Sequence, residues 1–288
     1  MKRKACLVGI NDYAPSGPGG PDLRGCVNDV RDIAHTLNAL EIVPASPRTM
    51  HIITDARATK GAILDGFDWL LKDAANGDVL IFYYSGHGSQ VPSVDSDDEI
   101  DGKDETICPH DFESAGMITD DDFRNRIKSI DPGVNLEIIF DSCHSGTMTK
   151  DIAVTASPTS EEGPIAYRYV DPPVDLGYFL DSTPTAEMKG LFKSRGGGTA
   201  KGAVQVPGLN HVLWAGCRDY QTSAEAPISG IYRGVFTYCF CQVLRKAGKD
   251  IKRRKLDSLV SADLRRMGFM QVPQLEGTKD SLSQQVFT

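Results

Sequence analysis

No stretch of this 288-residue chain approaches the run of about 20 apolar residues that a membrane-spanning helix needs. Met1-Lys2-Arg3-Lys4 has the charge of a secretory leader, but the apolar run behind it, Ala5 to Ile10, is too short for a leader and carries no cleavage pattern. Cysteine is sparse and unordered. There are seven, an odd number, with no Cys-x-x-Cys pair, and Cys239 and Cys241 lie two apart, the wrong spacing for a zinc knuckle. A disulfide framework is therefore not expected, and reduced, mostly buried thiols in a cytoplasmic protein are. Positive charge is in deficit, 31 Lys and Arg against 39 Asp and Glu, which argues against nucleic acid as a partner. The one basic run, Arg245 to Lys255, reads as a solvated helix end, and there is no internal repeat.

What is present is a strand–helix alternation. Ala5–Ile10, Thr49–Ile53, Val79–Tyr84 and Leu136–Phe140 are short runs that read as strands. Between them, Val27, Val30, Ile33, Ala34 and Leu37 form one helical stripe. Ile63, Phe67, Leu70 and Leu71 form a second, behind an N-cap at Thr59. Thr119 opens a third helix with Asp120, Asp121 and Asp122 in its first turn, where the helix dipole favours carboxylates. This order predicts an α/β fold with a wound, mainly parallel sheet. Residues 147–205 break the pattern. They are rich in Pro, Ser, Thr and Gly and read as a flexible linker. They divide a portion at 1–146 from one at 206–288, where a strand at His211–Ala215 and helices at Phe236–Leu244 and Leu256–Met267 follow.

Two of the strands end in turns that carry reactive groups: Ser85-Gly86-His87-Gly88 and Asp141-Ser142-Cys143-His144-Ser145-Gly146. Ligands of open parallel sheets bind beyond the strands' carboxyl ends. If these strands are neighbours, His87 and Cys143 meet there as base and nucleophile, the imidazole raising the thiolate fraction. The amides of Gly88 and Cys143 are candidates for an oxyanion hole. His144 reads as structural.

These turns resemble the His and Cys motifs of metacaspases, in the caspase-like cysteine peptidases. The similarity extends to Gly25-Cys26-Val27-Asn28-Asp29, Asp104-Glu105-Thr106-Ile107, Thr119-Asp120-Asp121, Ala215 to Ser223 and Gly234-Val235-Phe236-Thr237. It covers nearly the whole chain apart from 147–205. Caspases proper carry Gln-Ala-Cys-x-Gly at the nucleophile; Asp-Ser-Cys-His-Ser-Gly favours metacaspases. With the first strand starting near Ala5, the likeness is to prodomain-free metacaspases and orthocaspases. It implies a caspase-like fold: about six mostly parallel strands in one sheet, helices on both faces, the two portions large- and small-subunit-like, and a monomer.

Metacaspases cut after Arg or Lys and need an acidic pocket. Asp141 lies two residues before Cys143, and Ser85 two before His87, so each shares a strand face with its reactive partner. Asp29 lies near the start of the first long helix, beyond strand one. By resemblance Cys26, Asp29, Ser85 and Asp141 line the specificity pocket, where two carboxylates would bind guanidinium or ammonium. The resemblance also implies an activating Ca²⁺ held by Asp104, Asp120 and Asp121, with Asp151 a further candidate; carboxylate oxygens suit this hard ion. No organic cofactor is expected. Lys150, Arg168, Lys189, Lys193, Arg195 and Lys201 in the linker are candidate self-cleavage sites, at high effective concentration beside the cleft. The expected function is a cysteine endopeptidase acting on proteins or peptides after Arg, less readily after Lys. The rivals are a catalytically silent scaffold, or an Asp-directed protease, against which Asp29 and Asp141 already weigh.

Overall fold

The structure is a computed structural model that describes residues 1–14, 22–92, 103–143, 164–168, 170, 211–218, 221 and 223–288. In chain order the first half comprises β1 (Arg3–Gly9), α1 (Cys26–Ala39), β2 (Met50–Thr54), α2 (Lys60–Leu71), β3 (Val79–Ser85), β4 (Gly88–Pro92), β5 (Lys103–Ile107), α3 (Phe112–Ala115), β6 (Ile118–Thr119), α4 (Asp120–Ile127) and β7 (Asn135–Asp141). Then come β8 (Ala166–Tyr167), β9 (His211–Ala215), β10 (Ala224–Ile228), β11 (Ile231–Gly234), α5 (Val235–Ala247), α6 (Arg253–Arg266), β12 (Gln274–Glu276) and α7 (Lys279–Ser283).

Six strands make the central sheet in the order β12-β9-β7-β3-β1-β2. All pairs are parallel except β12 with β9 at the edge. The sheet is buried on both faces, which explains its unbroken apolar runs. Along β1 and β3, Ala5, Leu7, Ile81 and Tyr83 face one core with Val30, Ile33 and Leu37 of α1, Phe236 and Phe240 of α5, and Leu256 and Val260 of α6. Cys6, Val8, Leu80, Phe82 and Tyr84 face the other, with Ile63, Phe67 and Leu70 of α2 and Phe123 and Ile127 of α4. The alternation is the period-2 geometry of strands. The expected caspase-like architecture of six mostly parallel strands is therefore present.

The helix starts follow the sequence. Thr59 Oγ1 accepts from Ala62 N, and Thr119 forms a capping box with Asp122. Two small sheets were not foreseen. One is the antiparallel β4-β5-β6 in the acidic region, and the other is β11-β10-β8. Ser229 and Gly230, both with positive φ, turn the chain between β10 and β11, the backbone a two-residue hairpin requires.

Candidate active site

Strands β3 and β7 pair through Ser85 opposite Asp141, so their two reactive turns leave the same sheet edge side by side. The turn after β3 is anchored by two tyrosines. Tyr13 Oη accepts from His87 N at 2.7 Å, and Tyr84 Oη donates to His87 O at 2.7 Å. The Tyr13 and His87 rings lie 5.0 Å apart between centroids. Gly88 abuts Cys143 so closely that a Cβ there would collide with the Cys143 carbonyl, which is why this position needs glycine.

Residues 164–168 run through the cleft as an extended segment. Ala166 and Tyr167 pair antiparallel with β10, and Arg168 N donates to Ser223 O at 3.2 Å. The carbonyl oxygen of Arg168 then accepts two amides, Gly88 N at 2.9 Å and Cys143 N at 3.3 Å. Those are the two amides expected to form an oxyanion hole, and they converge on one carbonyl. The Cys143 sulfur is fully buried. It accepts from Ser223 N at 2.6 Å and lies 3.3 Å from Ser223 O.

The Arg168 side chain is completely buried in an acidic pocket. One guanidinium nitrogen, Nη2, meets Asp29 Oδ2 at 2.6 Å and Glu225 Oε2 at 3.6 Å. Nη1 meets Asp141 Oδ1 at 3.1 Å and donates to Ser85 Oγ at 2.8 Å. Cys26 adjoins this group, hydrogen-bonded to Ser85; burial raises its thiol, against the pull of Arg168. All four residues expected in the pocket, Cys26, Asp29, Ser85 and Asp141, are thus gathered around one guanidinium.

The strand faces explain the gathering. Ser85 continues the Ile81–Tyr83 face and Asp141 that of Ile139, toward the core that α1 and α5 cover. The carboxylates then lie against helix starts. Asp141 Oδ2 accepts from Thr237 N and Oγ1 in the first turn of α5, and Asp29 from Gly234 N just before it. Glu225 accepts from Arg24 N and Gly25 N at the start of α1. Helix N-termini favour negative charge, which offsets part of the cost of burying three carboxylates together. The cost still registers at Asp29. Burial first, and Asp141 second, push its carboxyl up to about 7 although Arg168 pulls the other way.

Three contributors were not placed in the pocket by the sequence. Glu225 sits on a short strand with no signal of its own. Arg168 was one basic residue among several in an aperiodic segment. Gly234 is needed because a Cβ there would strike Asp141 and Arg168, and only the Gly-Val-Phe-Thr motif hinted at it.

The sequence profile "Metacaspase, peptidase C14 domain" matches residues 3–151, just over half of the chain. The chain is 36% identical to Metacaspase-1A of Neosartorya fischeri over 262 residues, 85% of this chain and 58% of that protein. It is 36% identical to Metacaspase-1 of Ajellomyces capsulatus, across 85% of this chain and 71% of that one. The chain belongs to the metacaspase family. The chain thus spans about six- to seven-tenths of the length of these metacaspases. Protein GSU0716 of Geobacter sulfurreducens has a similar fold, with a TM-score of 0.65, 24% identity and coverage of 99% of this chain and 97% of that one.

The residues that metacaspase resemblance assigns to calcium are only partly in view. Asp120 and Asp121 stand in the first turn of α4, each 2.9 Å from a different nitrogen of Arg124. Asp104 lies on β5, its side chain outside the described residues, as is Asp151. Among the described residues no three acidic, His or Cys side chains converge as a metal cage. The linker residues Lys150, Lys189, Lys193, Arg195 and Lys201 and the neighbouring His144 also lie outside the described residues. Among the described residues no helix is long and apolar enough to cross a membrane.

Proposed function

We propose that this metacaspase chain is a cysteine endopeptidase that cuts after Arg, less readily after Lys, and that its own Arg168–Tyr169 bond is its first substrate. One observation carries the reading: the Arg168 carbonyl oxygen is held by the Gly88 and Cys143 amides while its guanidinium occupies the Asp29–Asp141–Glu225 pocket. Segment 164–168 is thus bound as a substrate would be, with Arg168 as the residue before the cut. Arg fits better than Lys because its planar fork spans Asp29 on one side and Asp141 with Ser85 on the other.

In this reading Cys143 Sγ attacks the carbonyl carbon, and the charge that develops on oxygen falls to the two amides. His87 takes the thiol proton and returns it to the leaving amine. Water then hydrolyses the acyl-thioester, His87 again acting as base. Until the segment leaves, it blocks the cleft, so the uncut chain is a zymogen. The proposal extends to a cytoplasmic monomer. The sheet edge at β12 is three half-buried residues long, a poor edge for a second copy to pair with.

Calcium activation belongs to the same proposal. The donors suit the ion, since Asp120 and Asp121 offer hard oxygens and already share one cationic partner, Arg124. Asp104 would complete the set. Chelator is expected to suppress activity and added calcium to restore it; full activity in chelator would remove calcium from the account.

The test of the function is cleavage of matched fluorogenic peptides ending in Arg, Lys or Asp by wild type and Cys143→Ala. Arg is expected to be preferred, Lys to follow and Asp to fail, with all cleavage lost in Cys143→Ala. Equal cleavage by the variant, or a preference for Asp, would overturn the reading.

A further inference from the structure

Cys217 lies against the nucleophile. It lies two residues past β9 as Cys143 lies two past β7, and these strands are parallel neighbours paired through Phe140 opposite Ala215. Gly216 N donates to Phe140 O at 2.8 Å, which carries the pairing one step further toward the two cysteines. Cys217 Sγ lies 3.6 Å from Ser142 O, the carbonyl next to Cys143, and the two thiols influence each other directly. One segment holds both: Cys143 Sγ accepts from Ser223 N at 2.6 Å, and Cys217 Sγ donates to Gln221 O at 3.3 Å. The register sets Cys217 level with Ser142, one residue from Cys143, just beyond the ends of two adjacent strands. Both are free thiols, and the reaction described above leaves Cys217 without a task.

We propose that Cys217 is a resolving thiol, which captures an oxidised Cys143 as a Cys143–Cys217 disulfide and so switches the site off reversibly. The proposal rests on the reading of Cys143 as the nucleophile, and its oxidant is hydrogen peroxide. With residues 164–168 in place Cys143 is fully buried, so oxidation follows departure of that segment. The Cys143 thiolate attacks one peroxide oxygen, the O–O bond breaks, and hydroxide leaves, giving a sulfenic acid. The Cys217 sulfur then attacks the Cys143 sulfur, the S–O bond breaks, and water forms with the Cys217 proton. In sum two thiols and one peroxide give one disulfide and two waters. The Cys143 thiol beside it and then burial hold the Cys217 thiol well above its ordinary value. A dithiol reverses the bond by exchange.

The experiment treats the full chain, as wild type, Arg168→Ala and Arg168→Ala with Cys217→Ser, with hydrogen peroxide. It then reads intact mass, a non-reducing peptide map and recovery in dithiothreitol. Arg168→Ala, with its cleft unblocked, is expected to lose about 2 Da, to yield a Cys143–Cys217 cross-linked peptide, and to regain its own starting activity in dithiothreitol. The variant lacking Cys217 is expected to gain about 32 Da at Cys143 as sulfinic acid and to stay inactive. Wild type is expected to cross-link only once it has been cut. Three results would overturn the proposal: sulfinic acid at Cys143 equally fast with and without Cys217, a cross-link from Cys143 to Cys26, or no cross-link at all. Mass and map read the disulfide even in a chain with no peptidase activity, so a failure of the proposed function is told apart from a failure here.

Discussion

Two arginines among the described residues are fully buried, and they are held in opposite ways. Arg253, at the start of α6, meets a single carboxylate, Glu137 of β7, at 2.9 Å. Its remaining donors reach Ser281 O, Gln284 Oε1 and Thr288 O, and Glu137 is completed by Trp214 Nε1 and Phe287 N. Charges balance, every partner belongs to a regular element or the chain end, and the result pins the carboxyl-terminal residues to the central sheet. Arg168 instead enters a pocket of three carboxylates, and its Nε is buried with no hydrogen-bond partner among the described residues. A buried pair made for stability is neutral and fully bonded. On the proposed reading, a buried excess of negative charge around one incompletely bonded cation is a place that receives cations, with Arg168 as its present guest.

The largest expected effect separates the two sites by activity. Asp141→Asn is expected to lower kcat/KM for an Arg peptide by about 100-fold, the loss typical of removing one partner of a buried charge pair. Its melting temperature should hold or rise, because a repelling carboxylate is gone. A fall in melting temperature with unchanged kcat/KM would place Asp141 with Glu137 as a structural acid. Next comes stability. Glu137→Gln leaves Arg253 buried without its counter-charge and is expected to cost about 3 kcal/mol of unfolding free energy by denaturant titration. The Arg over Lys preference should survive in the folded fraction.

Smaller still is the effect of Arg168→Lys. The ammonium keeps the charge and loses the fork, so self-cutting after residue 168 should slow by about tenfold rather than stop. Complete arrest would mean that the fork, not the charge, governs the site. The smallest effect is on pH. Asp29 is protonated more readily in the fold than in an unfolded chain, its carboxyl standing at about 7 instead of the usual value of about 4. Its stabilising contribution is therefore complete below about pH 4 and is lost as pH rises through about 7. Guest binding has the opposite sign. Benzamidine affinity should rise with pH through this range as Asp29 ionises, and Asp29→Asn should flatten both slopes. A flat profile in wild type would remove Asp29 from the charge that binds the guest.

The same contrast marks what was legible in the sequence. The central sheet, apart from its edge strand β12, was readable because its strands are short unbroken apolar runs between helical stripes. Ser85, Asp29 and Asp141 were readable because strand parity and a helix start fix their directions. Arg168 was one of six candidate cut sites and nothing set it above the others, because β8 is two residues long within an aperiodic stretch and gains its order from pairing with β10. Glu225 was missed for the mirror reason: β10 is short, and its carboxylate reaches the pocket only through the hairpin turn at Ser229-Gly230. Cys217 was quoted within a motif, but its contact with Cys143 depends on the β7–β9 register, which no local pattern encodes.

The central claim is that Arg168 is bound as a substrate residue before the cut. The direct measurement is intact mass and fragment mapping of the purified full chain incubated with calcium, for wild type, Cys143→Ala and Arg168→Ala. The account predicts a cut between Arg168 and Tyr169 in wild type, none in Cys143→Ala, and loss of that cut in Arg168→Ala. A wild-type chain that stays whole, or one first cut elsewhere at a rate indifferent to Arg168, would contradict it.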